Sequence, residues 1–373
     1  MADIATDGSE TIARATPVVK PQREGCADLV TVGVASTDVW SDLMIRDPEA
    51  VPYQSPEWAA AACATGGFQN VSRYYETRSG ARFVMPMIRR RGVPAMLATA
   101  GSMPDGWGMG GLVGSEPPTS DVARAVIADL QEAGFQSIHL RPNPRQAHIW
   151  AKAMPERAVV MPRRAHMIDL TGGYDPIWNG VVSRKLRRNV RRAGRLVEVE
   201  FGTGDRLMPL YCRLVESARR RWARLQNEPL ALTKLRAWMV EPTEKYTTIA
   251  RVMGENCRVG VAYVGGRPAA ATVVLRGGNV NCSRVAMDID LVGSTGANDL
   301  LQKLIIDDAV RAGCRFYHLG ESGRSSSLAR FKEKFGAVAY DYAEYRLETI
   351  PLKRFDLAAR SVVKRLIGFK DAS

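Results

Sequence analysis

Apolar positions along the chain alternate between short runs and spaced stripes, the patterns of strands and of amphipathic helices. The clearest succession lies in the second half. Apolar runs at 269–275 and 280–287 flank residues 276–279, Arg-Gly-Gly-Asn, whose adjacent glycines favour a tight hairpin turn. A small-residue loop follows at 293–299, and apolar residues spaced by three and four then predict a helix over 300–312. The pattern therefore predicts a hairpin, a loop and a helix in that order.

The same succession continues towards the C-terminus. A strand is predicted at 315–319, where apolar and aromatic residues are dense, and a loop follows at 320–324. Residues 327–336, Ser-Leu-Ala-Arg-Phe-Lys-Glu-Lys-Phe-Gly, predict a short helix that ends at the glycine.

The first half repeats this mixture of elements. Ser55 is a candidate N-cap with Pro56 at the first helical position, so a helix is predicted to about residue 64. A second helix is predicted at 121–133, and residues 41–45 predict a turn or a short helix. Strands are predicted at 29–34, 71–78, 81–88, 95–100, 137–141 and 159–170. The glycine-dense loop 106–111 is compatible with a close approach to a ligand and equally with tight turns.

The remaining segments join and complete the two halves. A helix over 175–193 is predicted to bridge them, with a narrow apolar stripe and arginines over the rest of its surface. Further helices are predicted at 208–226, 233–240 and, with a basic amphipathic pattern, 352–367. Further strands are predicted at 197–201, 247–252 and 258–264.

One stretch of the first half is repeated in the second. Residues 129–140 (DLQEAGFQSIHL) and 308–319 (DAVRAGCRFYHL) align without gaps, and both combine the end of a helix, a glycine and a strand. Gly134 then corresponds to Gly313, and His139 corresponds to His318. This internal repeat predicts two related domains.

The succession in the second half resembles the GNAT acyltransferase superfamily, and within it the FemABX-like branch. The resemblance is carried by RFKEKFGA at 330–337, by the strand end at 319–322 and by the helix that opens at Asn298. The basic helix SRKLRRNVRR at 183–192 also lies where this branch places one, whereas the first half adds only Ser-Pro-Glu-Trp at 55–58. The resemblance implies an α/β (α+β) fold of tandem GNAT-like domains, each with a mixed, mostly antiparallel sheet flanked by helices.

The patterns and the resemblance together divide the chain into five parts. They are a disordered tail at 1–27, an N-terminal GNAT-like domain at 28–170, a basic bridging helix at 171–195, a C-terminal GNAT-like domain with the donor site at 196–350, and a C-terminal helix at 351–373.

Composition narrows the possible function classes. No stretch has the apolar core of a signal peptide or the roughly 18 apolar residues of a membrane span, so we expect a cytoplasmic protein. The six cysteines show no CxxC spacing and the four histidines no HExxH pair, so we expect no metal site and no disulfide framework. The net charge of +13 favours an acidic partner or serves solubility.

The distribution of this charge is more informative than its total. Seven cations lie within 184–195, and no acidic residue lies between Asp175 and Glu198. A solvated basic face is one interpretation of this pattern. The other is phosphate binding with tRNA as the partner, and the predicted phosphate contacts are Arg184, Lys185, Arg188, Arg191 and Arg192.

Four residues are candidates for catalysis. The resemblance implies that Phe331 and Lys332 lie at the donor site, where the lysine would stabilise the tRNA terminus or the charge of the transition state. Asp288 and Glu321 follow the two strands that splay apart, so either is a candidate base. Packing for Phe331, a surface position for Lys332 and loop positions for both carboxylates are the alternatives.

The resemblance also implies a donor in the cleft between two splayed strands, polarised by a backbone N–H. Its predicted contacts are Ser283, Gly296, Asn298 and Arg324. Residues 292–297 have glycines but no arginine, and Asp299 places negative charge where a pyrophosphate would bind. The sequence thus departs from the acetyl-CoA pattern and agrees with the aminoacyl-tRNA donors that are typical of the FemABX-like branch.

The predicted function is therefore transfer of an aminoacyl group from aminoacyl-tRNA to an amine, which forms a peptide bond. No cofactor is expected beyond the donor, and the acceptor is an amine-bearing small molecule or peptide. One alternative keeps the fold and uses a coenzyme A thioester or an acyl carrier protein as donor. Another is a nucleic-acid-binding GNAT-like protein without catalysis.

Overall fold

The computed structural model describes residues 29–349, except 241, 278, 279 and 324. The predicted tail at 1–27 and the predicted C-terminal helix lie outside the described residues, as does Arg324. The described part consists of the following elements. The strands are β1 (Leu29–Val34), β2 (Phe68–Asn70), β3 (Arg73–Thr77), β4 (Arg82–Met85), β5 (Ile88–Arg90), β6 (Thr99–Gly101), β7 (Val113–Gly114), β8 (Ser137–Leu140), β9 (Val159–Asp169), β10 (Glu198–Thr203), β11 (Cys257–Val264), β12 (Arg267–Gly277), β13 (Val280–Met287), β14 (Phe316–Glu321) and β15 (Val338–Glu348). The helices are α1 (Thr37–Arg46), α2 (Pro56–Ala64), α3 (Ser120–Glu132), α4 (Ala147–Ala153), α5 (Asp175–Gly180), α6 (Arg184–Ala193), α7 (Gly204–Leu225), α8 (Leu230–Val240), α9 (Thr243–Met253), α10 (Ile289–Thr295), α11 (Ala297–Arg311) and α12 (Ser326–Glu333).

The strands form one large mixed sheet and one small sheet. The small sheet has the order β1-β3-β4-β7, and the large sheet has the order β10-β11-β12-β13-β14-β9-β15-β8-β6-β5-β2. Among the described pairs only β13 with β14 and β6 with β8 are parallel. A mixed, mostly antiparallel sheet flanked by helices confirms the predicted fold class.

The two halves of the chain exchange strands at the centre of the large sheet. Strand β9, which ends the first half, pairs with β14 of the second half, and β15, which ends the second half, pairs with β8 of the first. The exchanged strands pair with each other along most of their length, from Val338 opposite Met167 to Arg346 opposite Val159. The sheet order is therefore similar when read outwards from its centre in either direction, with a splayed parallel pair on each side.

The internal repeat of the sequence has a direct structural counterpart. Gly134 and Gly313 end helices α3 and α11 with φ of 74° each, a left-handed conformation that favours glycine. His139 and His318 follow in β8 and β14, and each lies in the last register pair of its parallel strands, opposite Gly101 and Cys282 respectively. The repeat therefore marks equivalent positions in the two halves.

The core consists of three clusters on the faces of the sheets. Helices α2, α7 and α9 bury one cluster that includes Trp40 and Trp58, and α6 and α11 bury a second that includes Tyr317 and Phe335. Helices α3 and α4 bury the third, around Trp150, in the first half. No helix in the described part of the chain is long and apolar enough to cross a membrane.

Four predicted elements differ from those observed. Of the strand predicted at 95–100, residues Ala95–Leu97 form a 3-10 helix and the strand β6 begins at Thr99. The strand predicted at 247–252 is wrong, because these residues lie in α9, where Tyr246, Ile249, Ala250 and Met253 are buried at helical spacing. The loop predicted at 293–299 is instead the end of α10 and the start of α11. The helix predicted over 175–193 is two helices, since the Oγ of Ser183 accepts from the backbone N–H of Leu186 and starts α6 anew.

Candidate active site

The site begins where β13 and β14 separate. Their parallel pairing ends at Cys282 opposite His318. Strand β13 continues beside β12 as far as Met287, while β14 turns towards β9 and pairs Glu321 with Ala165. Beyond Cys282, the edge of β13 that faced β14 therefore has no strand partner among the described residues. Such an edge presents backbone N–H groups to a bound carbonyl oxygen.

A bulge in β14 shapes the opposite wall of this cleft. The register with β9 shifts between His318 and Glu321. Gly320 lies in this interval with φ of 79°, a backbone conformation that residues other than glycine rarely adopt. A Cβ atom on Gly320 would lie 3.7 Å from Nζ of Lys332 and 3.9 Å from the carbonyl oxygen of Ser283. The bulge, the lysine and β13 therefore meet at one point.

Helix α12 carries the lysine to this point. Ser325 is the N-cap of this helix, and its Oγ accepts from the backbone N–H of Leu328 at 3.3 Å. Lys332 lies in its last turn and is buried, with Nζ donating to the carbonyl oxygen of Glu321 at 2.7 Å. Burial lowers the pKa of Lys332 to about 8, and the nearby carboxylate of Glu321 opposes this decrease. The surface position considered for Lys332 is therefore wrong.

Two buried histidines stand beside the lysine. Nδ1 of His318 accepts from the backbone N–H of Gly320 at 2.9 Å, so the proton of the neutral ring belongs on Nε2. Burial, followed by the charge of Lys332, lowers the pKa of His318 to about 4. The same two causes lower the pKa of His166, whose Nε2 lies 3.5 Å from Oε1 of Glu333. The ring of His318 is accordingly neutral at pH 7, and Lys332 is the cation beside it.

Glu321 is held by side chains from the exchanged strands. The hydroxyl of Tyr342, on β15, donates to Oε1 of Glu321 at 2.7 Å, and Nη1 of Arg163, on β9, lies 4.0 Å from Oε2. Burial and the carboxylate of Glu321 raise the pKa of Tyr342 well above its ordinary value. A base function for Glu321 stays a prediction, and its orientation depends on Tyr342 and Arg163.

A buried ionic cluster continues from Glu321 towards the first half. The carboxylate of Glu344 is buried and pairs with the guanidinium groups of Arg163, at 2.8 Å, and Arg141. Nε2 of His139 lies 3.7 Å from the same carboxylate. The cluster therefore connects the two parallel strand pairs through β9 and β15. A carboxylate buried in this way destabilises the fold unless cations pair with it.

The other predicted site residues lie at different distances from this point. Ser283 lines the splay, and its Oγ lies 3.5 Å from the carbonyl oxygen of His318. Asp288 instead caps α10, because its carboxylate accepts from the backbone N–H groups of Asp290 and Leu291. Phe331 is partly buried and packs edge-to-face on Phe335, with ring centroids 5.5 Å apart. The structure thus gives Asp288 and Phe331 local structural contacts rather than a place beside Nζ of Lys332.

The start of α11 is covered rather than open. Gly296 has a left-handed conformation, and a Cβ there would lie 3.6 Å from Cβ of Ala193 in α6. Asn298 is buried, with no hydrogen-bond partner for its Oδ1 in the described part of the chain. Asp299 pairs with Nζ of Lys334 at 2.7 Å. Helix α6 and the ion pair between Asp299 and Lys334 therefore cover the helix N-terminus at which the resemblance to GNAT proteins implies a pyrophosphate.

The basic residues form a groove on the exposed side of α6. Leu186, Val190 and Ala193 bury one face of the helix, so its cations point outwards. The groove, about 520 Å³ in volume, is lined by Arg184, Arg187, Arg188, Arg191, Trp178 and Asn179. Lys185 and Arg192 are also exposed, and Arg192 donates to the carbonyl oxygen of Ser294 at 2.9 Å.

Sequence reasoning missed the residues that the exchanged strands contribute. Arg163 and His166 lie far from Lys332 in the chain, Tyr342 lies on the strand that follows α12, and no motif marks any of them. Their one available signal was the long strand pattern that places alternate residues on one face. Among the described residues, no group of three or more His, Cys, Asp or Glu side chains is arranged to hold a metal ion.

Comparison with known proteins agrees with this geometry. Residues 181–333 match the family described as acetyltransferase (GNAT) domain. No curated protein sequence matches the chain. The crystal structure of FemX is similar at 11% identity over 87% of this chain and 99% of that chain, with a TM-score of 0.64.

Two further solved structures are similar. A conserved protein of unknown function from Bacteroides thetaiotaomicron shares 12% identity over 84% of this chain and 98% of its own, with a TM-score of 0.52. A tandem GNAT protein from the clavulanic acid biosynthesis pathway shares 14% identity over 84% of this chain and 95% of its own, with a TM-score of 0.47. At these identities the likeness to FemX and to the Bacteroides protein concerns the fold. Residues 181–333 thus match the GNAT domain family, whose FemABX-type branch the sequence resembles, and the likeness to FemX shows the fold.

Proposed function

We propose that the protein transfers an aminoacyl group from aminoacyl-tRNA to an amine acceptor, at the splay between β13 and β14. The observation that carries the choice of donor is the arginine groove of α6 beside a covered α11 N-terminus.

The reaction itself requires little beyond the geometry of the splay. The acceptor nitrogen attacks the ester carbonyl of the donor, and a backbone N–H on the open edge of β13 stabilises the oxyanion. The bond from carbon to the ribose oxygen then breaks, the amide bond forms, and the proton of the amine leaves with the ribose hydroxyl or with a base. The ammonium of Lys332 lies at this edge, in surroundings that exclude water, where its charge offsets developing negative charge.

The surroundings of α11 favour a donor other than coenzyme A. A helix N-terminus binds a pyrophosphate when its N–H groups and its positive dipole face solvent. Here Asp299 adds negative charge at that end, and α6 packs against Gly296. The carbonyl end of α10 also lies directly before α11, with Arg192 bound to the carbonyl oxygen of Ser294.

The groove on α6 has the chemistry of a phosphate-backbone site. Arg184, Arg188 and Arg191 are exposed and crowd one helix face with the half-buried Arg187, so their mutual repulsion disfavours the free protein and is relieved by polyanion binding. Arg187 is held in place because Nη1 donates to the carbonyl oxygens of Trp178, at 3.2 Å, and Asn179, at 2.7 Å. Neutralising about four phosphates would give a slope of roughly −3 to −4 in a plot of log K against log salt.

The test compares donor binding and turnover in matched variants. Arg188→Gln with Arg191→Gln removes two groove cations and keeps the hydrogen bond from Arg192 of α6 to the carbonyl oxygen of Ser294 in α10. We expect this pair to weaken binding of bulk aminoacyl-tRNA at least tenfold and to reduce the salt slope by about 2. The control pair is Arg157→Gln with Arg251→Gln, which removes the same charge from exposed positions elsewhere. Equal losses in both pairs would reduce the effect to net charge and contradict the proposal.

Lys332→Ala separates transfer from binding alone. We expect tRNA binding to persist while transfer of a radiolabelled aminoacyl group to a pool of amine acceptors is lost. If the variant binds tRNA as before and the wild-type protein transfers nothing from any charged tRNA, the nucleic-acid-binding alternative would be favoured. Transfer from acyl-CoA that the groove variants leave intact would favour the thioester alternative.

A further inference from the structure

We propose that the first half of the chain has a ligand site of its own, a cavity beside the parallel pair β6–β8. The site accepts an anion, a carboxylate or a phosphate ester, that is attached to an apolar group. This inference does not depend on the choice of acyl donor, because it concerns residues outside the β13–β14 splay.

The cavity occupies the position in the first half that the splay occupies in the second. It has a volume of about 630 Å³, and Thr99 and Gly101 of β6 line it together with His139 of β8. Gly101 and His139 are the last register pair of these parallel strands, as Cys282 and His318 are in the second half. The pseudo-symmetry of the fold therefore places an opening at the same point twice.

The backbone at this opening differs from that of the second half. The carbonyl oxygen of His139 accepts from the N–H of Ser102 at 2.8 Å, and that of Arg141 accepts from the N–H of Gly110 at 2.7 Å. The glycine-dense loop thus covers the edge of β8 that follows the parallel pair. A site without an open strand edge suits binding rather than acyl transfer.

The charges that line the cavity are mostly positive. Arg89 and Arg90 come from β5, Arg346 comes from β15, and Lys245 comes from α9. Asp105 is the acidic residue of the described lining, and its side chain is 65% exposed. Nη2 of Arg346 lies 3.6 Å from Oδ1 of Asp105. Three arginines that converge on one cavity favour a carboxylate or phosphate, which guanidinium groups bind with paired hydrogen bonds.

Buried polar atoms around the cavity lack partners. The side chain of His139 is 6% exposed, and its Nε2 has no hydrogen-bond partner in the described part of the chain. The same holds for Nε of Arg89 and Nε of Arg346. Leaving a buried donor unsatisfied costs roughly 1–3 kcal/mol. Because these three atoms are enclosed, a bound anion would meet the terminal guanidinium nitrogens of Arg89 and Arg346 instead.

The rest of the lining is apolar. Phe68, Ile88 and Met103 contribute to the wall, and Leu97 lies at it with 69% of its surface exposed. Trp107 is buried beneath Nζ of Lys245, which lies 4.6 Å from the centroid of its ring. A molecule that joins an anionic group to an apolar one matches this division better than a free inorganic ion does.

The test is isothermal titration calorimetry of the full-length protein with three small probes. Phenyl phosphate and benzoate represent the two anionic classes, and benzyl alcohol represents the apolar part without charge. We expect one or both anions to bind with at least tenfold higher affinity than benzyl alcohol. The stronger of the two anions identifies the class of the natural molecule.

Variants then locate the binding. Arg89→Gln with Arg90→Gln, and separately Arg346→Gln, should each weaken anion binding at least tenfold. Arg91→Gln, an exposed arginine of the same hairpin outside the lining, should leave it unchanged. Thermal unfolding of each variant identifies any loss of fold. If one of the two cavity variants fails to fold, the other still tests the site.

Two results would overturn this proposal. The first is that neither phenyl phosphate nor benzoate binds more tightly than benzyl alcohol, which would contradict an anion site in the cavity. Binding lost in Arg188→Gln with Arg191→Gln but kept in both cavity variants would assign the anion to the groove of α6. The tRNA proposal stands or falls separately, because its test uses the groove variants and charged tRNA.

Discussion

The charge of Lys332 is in surroundings that disfavour it, and its removal is the clearest test of the site's electrostatics. Lys332→Met keeps an unbranched side chain of similar length and deletes the ammonium. Because burial lowers the pKa of Lys332 to about 8 from an ordinary 10.5, the folded protein loses this proton before the unfolded chain does. The unfolding free energy of the wild type should therefore rise with pH between these two values, and the variant should lack that contribution.

The size of the effect follows from the shift. Each pKa unit corresponds to 1.36 kcal/mol, so the wild type should gain about 2 kcal/mol on the variant between pH 7 and pH 9.5. Below pH 8 the full penalty of the buried charge is present in the wild type. The hydrogen bond from Nζ to the carbonyl oxygen of Glu321 offsets part of that penalty at neutral pH. The pH dependence of the difference is thus more informative than its value at any single pH.

Urea unfolding of both proteins at pH 7, 8, 9 and 9.5 gives this difference directly. Lys152→Met is the matched control, because its ammonium lies exposed on α4 and its removal should leave the pH dependence unchanged. Parallel stability curves for the wild type and Lys332→Met would refute the burial of this lysine and with it the electrostatic account of the site.

Two further substitutions test the framework of the site. Gly320→Ala should destabilise the protein by about 1–3 kcal/mol, measured by urea unfolding, and should impair transfer, because Gly320 has φ of 79° and the new Cβ would lie 3.7 Å from Nζ of Lys332. Glu344→Gln should cost up to about 3 kcal/mol of unfolding free energy, because it leaves the partly buried guanidinium groups of Arg141 and Arg163 without the charge of their shared, buried carboxylate; a loss below about 0.5 kcal/mol would show that solvent reaches this cluster.

Local signals in the sequence predicted much of the fold. The cap at Ser55 forms as expected, since its Oγ accepts from the backbone N–H of Trp58 at 3.1 Å. The repeat around His139 and His318 corresponds to equivalent strands in the two halves. These features depend on residues close in the chain, so periodicity and capping chemistry are enough to find them.

Long-range pairing could not be predicted in the same way. Which strand lies beside β14 is decided by tertiary packing, and the exchange of β9 and β15 has no local signature. For that reason the sequence did not predict Tyr342 and Arg163 as the partners of Glu321, although Glu321 itself was a candidate. The helix at 243–253 was mistaken for a strand because Thr247, Thr248 and Ile249 are β-branched. Burial of Tyr246, Ile249, Ala250 and Met253 at helical spacing overrides this preference.

The measurement that tests the account most directly is a donor-binding titration of the purified protein at two salt concentrations. Bulk aminoacyl-tRNA and acetyl-CoA are titrated in parallel, and transfer to an amine pool is followed in the same samples. We expect tight tRNA binding that weakens steeply with salt, no measurable binding of acetyl-CoA, and aminoacyl transfer that requires Lys332. Saturable acetyl-CoA binding with only weak, unselective tRNA association would contradict it.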